Sequence, residues 1–598
     1  MPSYKAPVED YLFLLNDVFQ VGGYVDLPGY SDLSPQILEA TLTEAAKLCE
    51  QVLTPLNRVG DMEGCTRHED GSVTTPKGFK EAYQQFCDGG WGSISFPSEF
   101  GGQGLPAVLS GVVTEFLAGS NLAFWMYPGL TQGAVAALLD HGSPEQKATY
   151  VPNMVASKWT GTMNLTEAHC GTDLGMLRTK AKPQPDGTHR ITGTKIFISA
   201  GEHDLAENIV HLVLARIEGA PAGVKGISLF VVPKFLPKAD GTLGARNSVS
   251  CGSIEHKMGI HGNCTCVMNF DNATGWLVGG ENRGLNAMFT MMNHSRLGVG
   301  THGVGLSDVA YQNAAAYAKD RLQGRSMSGV KFPDKPADPL IVHPDVRRML
   351  MTMRATTEAA RALVVWTGLR YDIATRATDA KARDQAEDHM GLMTPVIKGV
   401  CTDIGLVSTV LAQQIWGGHG YIAENGIEQF VRDARVNEIY EGSNGIQALD
   451  LVGRKLGMNG GRAVQAFFSE VDAYLKAQAQ VEGMAAYVNP VLESFRHLQL
   501  ATQWIAKNAA SNRDHAGAGS YDYMNLFGLV ALGYMWCRMV EVARAKLAKL
   551  GTASDRHLSA KLVTARFFVE RILPETSAQL GRIKSGADSM MSLPAEAF

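Results

Sequence analysis

Between about residue 160 and residue 280 the chain changes character, and that change limits the architectures open to it. Ile191–Ser199, Ile209–Arg216 and Gly226–Val232 are short runs of β-branched and apolar residues separated by turn residues, and Val267–Phe270 continues the pattern. Such runs suit a pleated surface and read as strands of a β domain. On either side, Ala-, Leu- and Met-rich stretches carry apolar residues at helical spacing. At 598 residues the chain is also too long for one core, since single cores stop growing at about 250–300 residues. The reading is an α+β multidomain protein: an N-terminal helical domain over 1–158, a middle β domain over 159–283, a helical bundle over 284–457 and an appended C-terminal helical domain over 458–598.

Local signals support this division. Asp32-Leu33-Ser34-Pro35 is a cap-and-start signal ahead of a periodic apolar stretch, Ile37–Leu53. Gly89–Gly104 is glycine-rich and reads as loop, and helical periodicity returns over Ala107–Leu139. Phe332–Pro344 carries four prolines and interrupts the later helices.

Charge and composition narrow the function classes. The net charge is −5, with no long run of either sign, so no basic face marks a nucleic-acid binder. The start of the chain, Met1-Pro2-Ser3-Tyr4-Lys5 with Glu9 and Asp10 soon after, lacks the layout of a signal peptide. No uninterrupted apolar run reaches the roughly 18 residues of a spanning helix, and no membrane span is expected. Nine cysteines without a CxxC pair read as free thiols in a reducing, cytoplasmic setting.

Several motifs have a plainer account than function. Gly298, Gly300 and Gly303 fit the dinucleotide fingerprint GxGxxG, but Met291–Leu297 ahead of them is no strand, so close helix packing is the better reading. His256, His261, Cys264 and Cys266 lack the usual metal-ligand spacing. They read as a loop histidine and buried thiols, and no metal site is expected. The basic segment Arg538–Lys549 belongs to a region with 15 Lys/Arg against 12 Asp/Glu, an ordinary solvated face.

Two segments carry more. Met163–Gly175 joins the helical part to the β domain, and its hydroxyls and glycines suit close approach to a phosphate-bearing ligand; an ordinary polar interdomain loop would read the same way. Asp433–Gln447 ends a helix, sets Glu441 beside Tyr440 and breaks at Gly442. A carboxylate held among apolar neighbours loses solvation and becomes more basic, which suits a general base meeting a weak carbon acid. The alternative is a surface glutamate in a turn.

Together these segments resemble the acyl-CoA dehydrogenases. The likeness spans most of residues 80–456 and includes Phe96–Gly104, Gly142–Lys147, Thr166-Glu167 with Gly171-Thr172-Asp173, Ile191–Ile196, Lys257–Ile260, Gln414–Gly418, Arg432-Asp433-Ala434 and Ile439–Gly442, in family order. The resemblance implies a helical bundle, a β-barrel-like domain and a second bundle, with FAD between the last two. It implies Met163, Thr166, Gly171 and Thr172 as the flavin loop, with Thr172 also meeting the CoA moiety. Phe197 stands where the family often has Trp against the flavin ring, and Ser199 where it often has a Thr near flavin N5. Arg321, Gln414 and Gly418 resemble residues that hold the pyrophosphate and adenine half of FAD across a homodimer interface, and Ser443 looks flavin-contacting.

Glu441 matches the family's base. A subgroup carries that base on an earlier helix, just before the arginine matched by Arg296; here the position is Ser295. Arg296 and Asn293, the latter in place of a frequent acidic residue, are implied to shape the substrate site. The Phe of the family's Arg-x-x-Phe-Gly is absent from Arg321–Arg325, and His261 replaces a frequent arginine. The N-terminal segment Tyr4–Leu15, the Glu255–Gly262 run and the C-terminal domain resemble a longer subgroup that includes 3-(methylthio)propanoyl-CoA dehydrogenases and enzymes for medium- and long-chain fatty acyl-CoA. The implied reaction is α,β-dehydrogenation of an acyl-CoA thioester, with electrons passing to an electron-transfer flavoprotein. An acyl-CoA oxidase is the rival on the same fold. A nucleic-acid-binding flavoprotein is the rival from another class, and the near-neutral C-terminal region speaks against it.

Overall fold

The computed structural model describes residues 2–238, 241–550 and 555–598. They form two compact units, Glu44–Gly298 and Met1–Thr43 with Val299–Phe598.

In the first unit, the helix Ala107–His141 is buried along most of its length. It changes direction at Asn121 (φ −162°, ψ 87°), whose side chain accepts a hydrogen bond from the Phe124 N–H and so restarts the second segment. The helix Pro144–Val155 opens with a capping box in which Ser143 and Gln146 satisfy each other's backbone N–H groups.

The β strands follow, and five of them close on themselves. His189–Ser199 pairs with Thr265–Val278, which pairs with Ser228–Pro233, then Asn208–Ile217, then Lys180–Pro183 and back to His189–Ser199. Trp159–Asn164 adds in parallel to Asn208–Ile217, and Val249–Ile254 adds antiparallel to Thr265–Val278. Closure removes edges that would otherwise expose unpaired backbone groups. Thr265–Val278 turns the corner between partners through a register shift from Phe270 to Ala273, with Asn272 at φ 52°, the left-handed conformation that asparagine tolerates. Asn208–Ile217 is buried on both faces, which is why its sequence is apolar at most positions, broken only by Asn208, His211 and Arg216, instead of alternating.

Val267–Phe270, the strand expected from sequence, lies in the first half of the 14-residue strand Thr265–Val278. Trp159–Asn164, Lys180–Pro183 and Val249–Ile254 were not anticipated. Each is short, and Trp159–Asn164 and Lys180–Pro183 owe their parallel pairing to Asn208–Ile217, a partner distant in sequence.

In the second unit, the helices Pro344–Arg376 and Ala380–Trp416 pack as a pair, the latter capped by the Asp379 side chain on the N–H groups of Lys381 and Ala382. The glycines of the apparent dinucleotide fingerprint lie within the helix Gly284–Asp320. A Cβ on Gly300 would stand 2.5 Å from Ile397, and one on Gly303 would collide with the Cys401 carbonyl. Those glycines let two helices touch at the backbone, as the sequence reading required. The Pro-rich loop after Arg321 winds around buried Asp338, whose carboxylate accepts the N–H groups of Ser326, Lys331 and Phe332.

The long helix Arg513–Leu550 is the centre of the C-terminal region. It packs on Ala485–Asn508, Arg556–Phe567 and Glu575–Ser585, and also on the Pro344–Arg376 and Ala380–Trp416 pair. The basic segment read as a solvated face is partly docked: the Arg538 guanidinium lies 4.7 Å from the Phe19 ring centroid and Lys546 pairs with Asp17 at 2.6 Å.

The expectation of no membrane-spanning character needs correction as to helix composition. Among the described residues three helices, Ala107–His141, Ala380–Tyr421 and Arg513–Leu550, are long and apolar enough to cross a membrane, although 83%, 67% and 78% of their most apolar windows are buried inside the protein. Their hydropathy is that of core helices packed on several sides.

Candidate active site

The helix Ile427–Arg435 runs into a single tight turn, Val436–Glu438, and the next helix starts at Asn444. Glu441 lies in the connection at φ 58°, followed by Gly442 at φ 81°. Glycine reaches this region freely, but a side chain there costs of order 1–3 kcal/mol and persists only where the surroundings over-determine it. Here the buried Gln447 side chain donates to the carbonyls of Glu441 and Gly442 at 3.2 and 3.1 Å. The Glu441 side chain is half-buried, with Oε2 out of water. Tyr440 beside it is held phenolic by burial and by the Glu441 charge. Its hydroxyl donates to Asn437 Oδ1 at 2.6 Å.

The other carboxylates of this segment are committed elsewhere. Glu428 pairs with Arg432 at 3.0 Å and Glu424 is exposed. Glu438 pairs with Arg435 at 2.8 Å and hydrogen-bonds Asp403; burial and the neighbouring Asp403 push it up to about 7. Arg321, Gln414 and Gly418 are all exposed. Tyr317, one turn before Arg321, stacks on Trp416 with ring centroids 4.1 Å apart and meets His419 Nδ1 at 3.0 Å, bringing the end of one helix beside the Gln414–Gly418 segment. Ser443 directly precedes the Asn444–Asp450 helix at φ −55°.

The remaining sequence-predicted site residues lie in the Glu44–Gly298 unit. Met163 is near the end of Trp159–Asn164, and the Thr166 carbonyl accepts from the Ile196 N–H at 2.9 Å, which ties the loop to the strand bearing Phe197 and Ser199. Gly171 and Thr172 are exposed. Phe197 is 61% exposed at φ 59°, two costs that a bulky aromatic side chain rarely combines. Ser199 is half-buried opposite Thr265. On one helix, Asn293 is exposed and Arg296 buried.

Sequence reasoning left several supporting residues without a role. Glu167 accepts from Lys195 Nζ at 2.9 Å, from the Thr179 N–H and hydroxyl, and from the Arg178 N–H. Burial opposes its charge, but Lys195 and these donors hold it at about 2, while burial brings Lys195 down to about 8. Both residues stood inside motifs already singled out, yet their pairing across 28 residues is visible only once the strand is placed. Asn444 stood inside the Asp433–Gln447 segment without a role, and Asp403 and Tyr521 gave no local signal. His261 pairs with Asp61 at 3.0 Å, which raises it to about 9 and keeps it cationic, like the arginine it replaces. Cys264 and Cys266 are buried free thiols.

Comparison with known proteins makes this fold that of a flavoprotein oxidoreductase. Residues 39–158, 162–273 and 282–456 match the acyl-CoA dehydrogenase N-terminal, middle and C-terminal domains, and residues 467–594 match an acetyl-CoA dehydrogenase C-terminal-like domain. The 3-methylmercaptopropionyl-CoA dehydrogenase of Ruegeria pomeroyi is 43% identical over 99% of both chains. A butyryl-CoA dehydrogenase of Syntrophomonas wolfei is 32% identical over 100% of this chain and 98% of its own. A Bacillus anthracis acyl-CoA dehydrogenase crystallised with FAD shares the fold, with a TM-score of 0.73 at 21% identity over 96% of this chain and 91% of that one. The chain belongs to the acyl-CoA dehydrogenase family, whose members are FAD-dependent oxidoreductases.

The residues present fit the cofactor. An aromatic ring displayed to solvent on strained backbone offers an apolar face to a flavin ring. The exposed Gly171-Thr172 pair in the Glu167-anchored loop offers backbone and hydroxyl donors.

Proposed function

We propose that Glu441 is the base of an acyl-CoA α,β-dehydrogenation and that 3-methylmercaptopropionyl-CoA, or a similar short to medium acyl-CoA, is the preferred substrate. The Glu441 loop carries the first part: a half-buried carboxylate on left-handed backbone, one oxygen out of water, its peptide pinned by Gln447. Glu441 would take the α-proton. Its backbone N–H would donate to the thioester carbonyl, where charge develops on the way to the enolate. Met163, Thr166, Gly171, Thr172, Phe197, Ser199, Arg321, Gln414, Gly418 and Ser443 would hold FAD, which when bound would supply the acceptor for the β-hydride. Thr172, Asn293 and Arg296 would orient the substrate. Electrons would leave to an electron-transfer flavoprotein, and nine free cysteines support a reducing, cytoplasmic setting.

The 43% identity to the Ruegeria enzyme, against 32% to the butyryl-CoA enzyme, supports the thioether substrate. A panel of acyl-CoA thioesters assayed anaerobically with a dye acceptor tests it. The highest kcat/KM is expected for 3-methylmercaptopropionyl-CoA or for chains of similar length, and a steep rise toward long chains would refute the assignment. Turnover with oxygen alone as fast as with the dye would instead favour an oxidase.

We also infer a homodimer. Val407, Val410, Tyr421 and Ile422 are exposed apolar residues around the exposed Gln414 and Gly418, a surface more apolar than a monomer needs. Light scattering is expected to give twice the 64.4 kDa chain mass. A stable monomer with full FAD content would exclude it.

A further inference from the structure

Asp403, on the helix Ala380–Trp416, meets both ends of the Glu441 loop. Its Oδ1 accepts from Asn444 Nδ2 at 2.6 Å, just after the loop. It shares a hydrogen bond with Glu438, just before the loop. Its Oδ2 accepts from the Tyr521 hydroxyl at 2.6 Å, on the long helix of the C-terminal region. Asn444 is held further by Lys398, whose Nζ donates to Asn444 Oδ1 at 2.8 Å, and itself donates to the Gly399 carbonyl. Between these two anchors lie the five residues Ile439–Ser443, with Glu441 in its strained conformation.

We propose that Asp403 is a positioning residue that clasps the Glu441 loop from both sides, closed by one proton shared with Glu438 and buttressed by Tyr521 from the C-terminal region. This rests on Glu441 being the base. Two carboxylates in hydrogen-bond contact cannot both be ionised without repulsion, so one of them holds the proton. The charged and titratable groups facing the pair are Lys398 on Asp403's own helix, Arg435 at the end of the preceding helix, and Tyr521. Burial raises Asp403, and burial with Asp403 brings Glu438 up to about 7. Both groups are raised above the ordinary carboxylate range, so the pair holds its shared proton to higher pH than a free carboxyl would and gives it up as pH rises. The clasp then meets two like charges, and the loop loses the contact on its N-terminal side. Displacing a catalytic group by about 1 Å can cost about 10²-fold in rate, so a looser loop reads directly in the chemical step.

The test is single-turnover flavin bleaching by saturating acyl-CoA from pH 6 to pH 8.5, on FAD-loaded wild type, Glu438→Gln, Asp403→Ala, Asp403→Asn and Glu441→Gln. Wild type is expected to lose rate above about pH 7. Glu438→Gln keeps a donor to Asp403 that does not titrate, so its decline above about pH 7 should be absent. Asp403→Ala should lose about 10²-fold at every pH, with FAD content and acyl-CoA affinity unchanged, and Asp403→Asn should restore most of it. Superimposable pH profiles for wild type and Glu438→Gln would overturn the shared-proton clasp, even if Asp403→Ala fails to fold. A folded Asp403→Ala with wild-type rate would overturn the positioning role. Wild-type bleaching by Glu441→Gln would overturn the base assignment itself, a result separate from either.

Discussion

Glu441→Gln is expected to bind FAD and acyl-CoA like wild type and to leave the flavin oxidised. Glutamine keeps the size and polarity of the side chain, and the loop is held through backbone contacts from Gln447, so binding and chemistry should separate. Loss of a general base costs about 10² to 10⁴ in rate. The upper end is expected, because no nearby group can replace it. Ser295, at the position where a subgroup carries its base, offers only a hydroxyl. Glu428 and Glu438 are tied to Arg432 and Arg435. Stopped-flow absorbance of the flavin band after mixing with substrate measures the effect. A near-wild-type rate would remove Glu441 from the mechanism and leave Glu438 as the carboxylate to examine next.

Lys561→Ala is expected to cost about 3–5 kcal/mol of stability, the range for removing one partner of a buried ion pair. Lys561 is fully buried. Its Nζ donates to Asp10 Oδ1 and, at 2.8 Å, to Glu358 Oε2, and lies 5.6 Å from the Phe13 ring. Arg361 bridges Asp10 at 2.6 Å and Asp308 at 3.1 Å. The cluster joins the N-terminal segment, two helices of the bundle and the C-terminal region. Without Lys561, Asp10 and Glu358 keep Arg361 and Arg354 but face each other across a void. Burial opposes the charge of Asp10, yet Lys561 and Arg361 hold it below the usual carboxylate range. Its contribution is therefore present at neutral pH and is lost as pH falls below the unfolded value of about 4. Urea unfolding of wild type and Lys561→Ala at pH 7 measures the difference. A shift below about 1 kcal/mol would mean that solvent reaches the cluster.

Much of the fold was legible in the sequence because it follows from local pattern. The β-branched runs between turn residues became barrel strands, the periodic stretches became helices, and the misleading glycine fingerprint was dismissed correctly because no strand preceded it. The strands that escaped notice needed partners far along the chain: Trp159–Asn164 is six residues whose parallel pairing comes from Asn208–Ile217. Of the candidate site, motif order named Glu441, the flavin loop and Phe197. It gave no hint that Glu441 and Phe197 sit on left-handed backbone, because a single residue's dihedral angles depend on what holds them.

The order of motifs along the chain was enough by itself to point to the family and the cofactor class, and it named Glu441 as the carboxylate to propose as the base. Only the tertiary structure decided what holds that carboxylate in place. Asp403, Glu438, Asn444 and Tyr521 are separated by up to 118 residues, and no local pattern links an aspartate on one helix to a tyrosine on another. A buried hydrogen-bond network exists only where packing brings its members within about 3 Å in a site from which water is excluded, and that exclusion is a property of the folded chain.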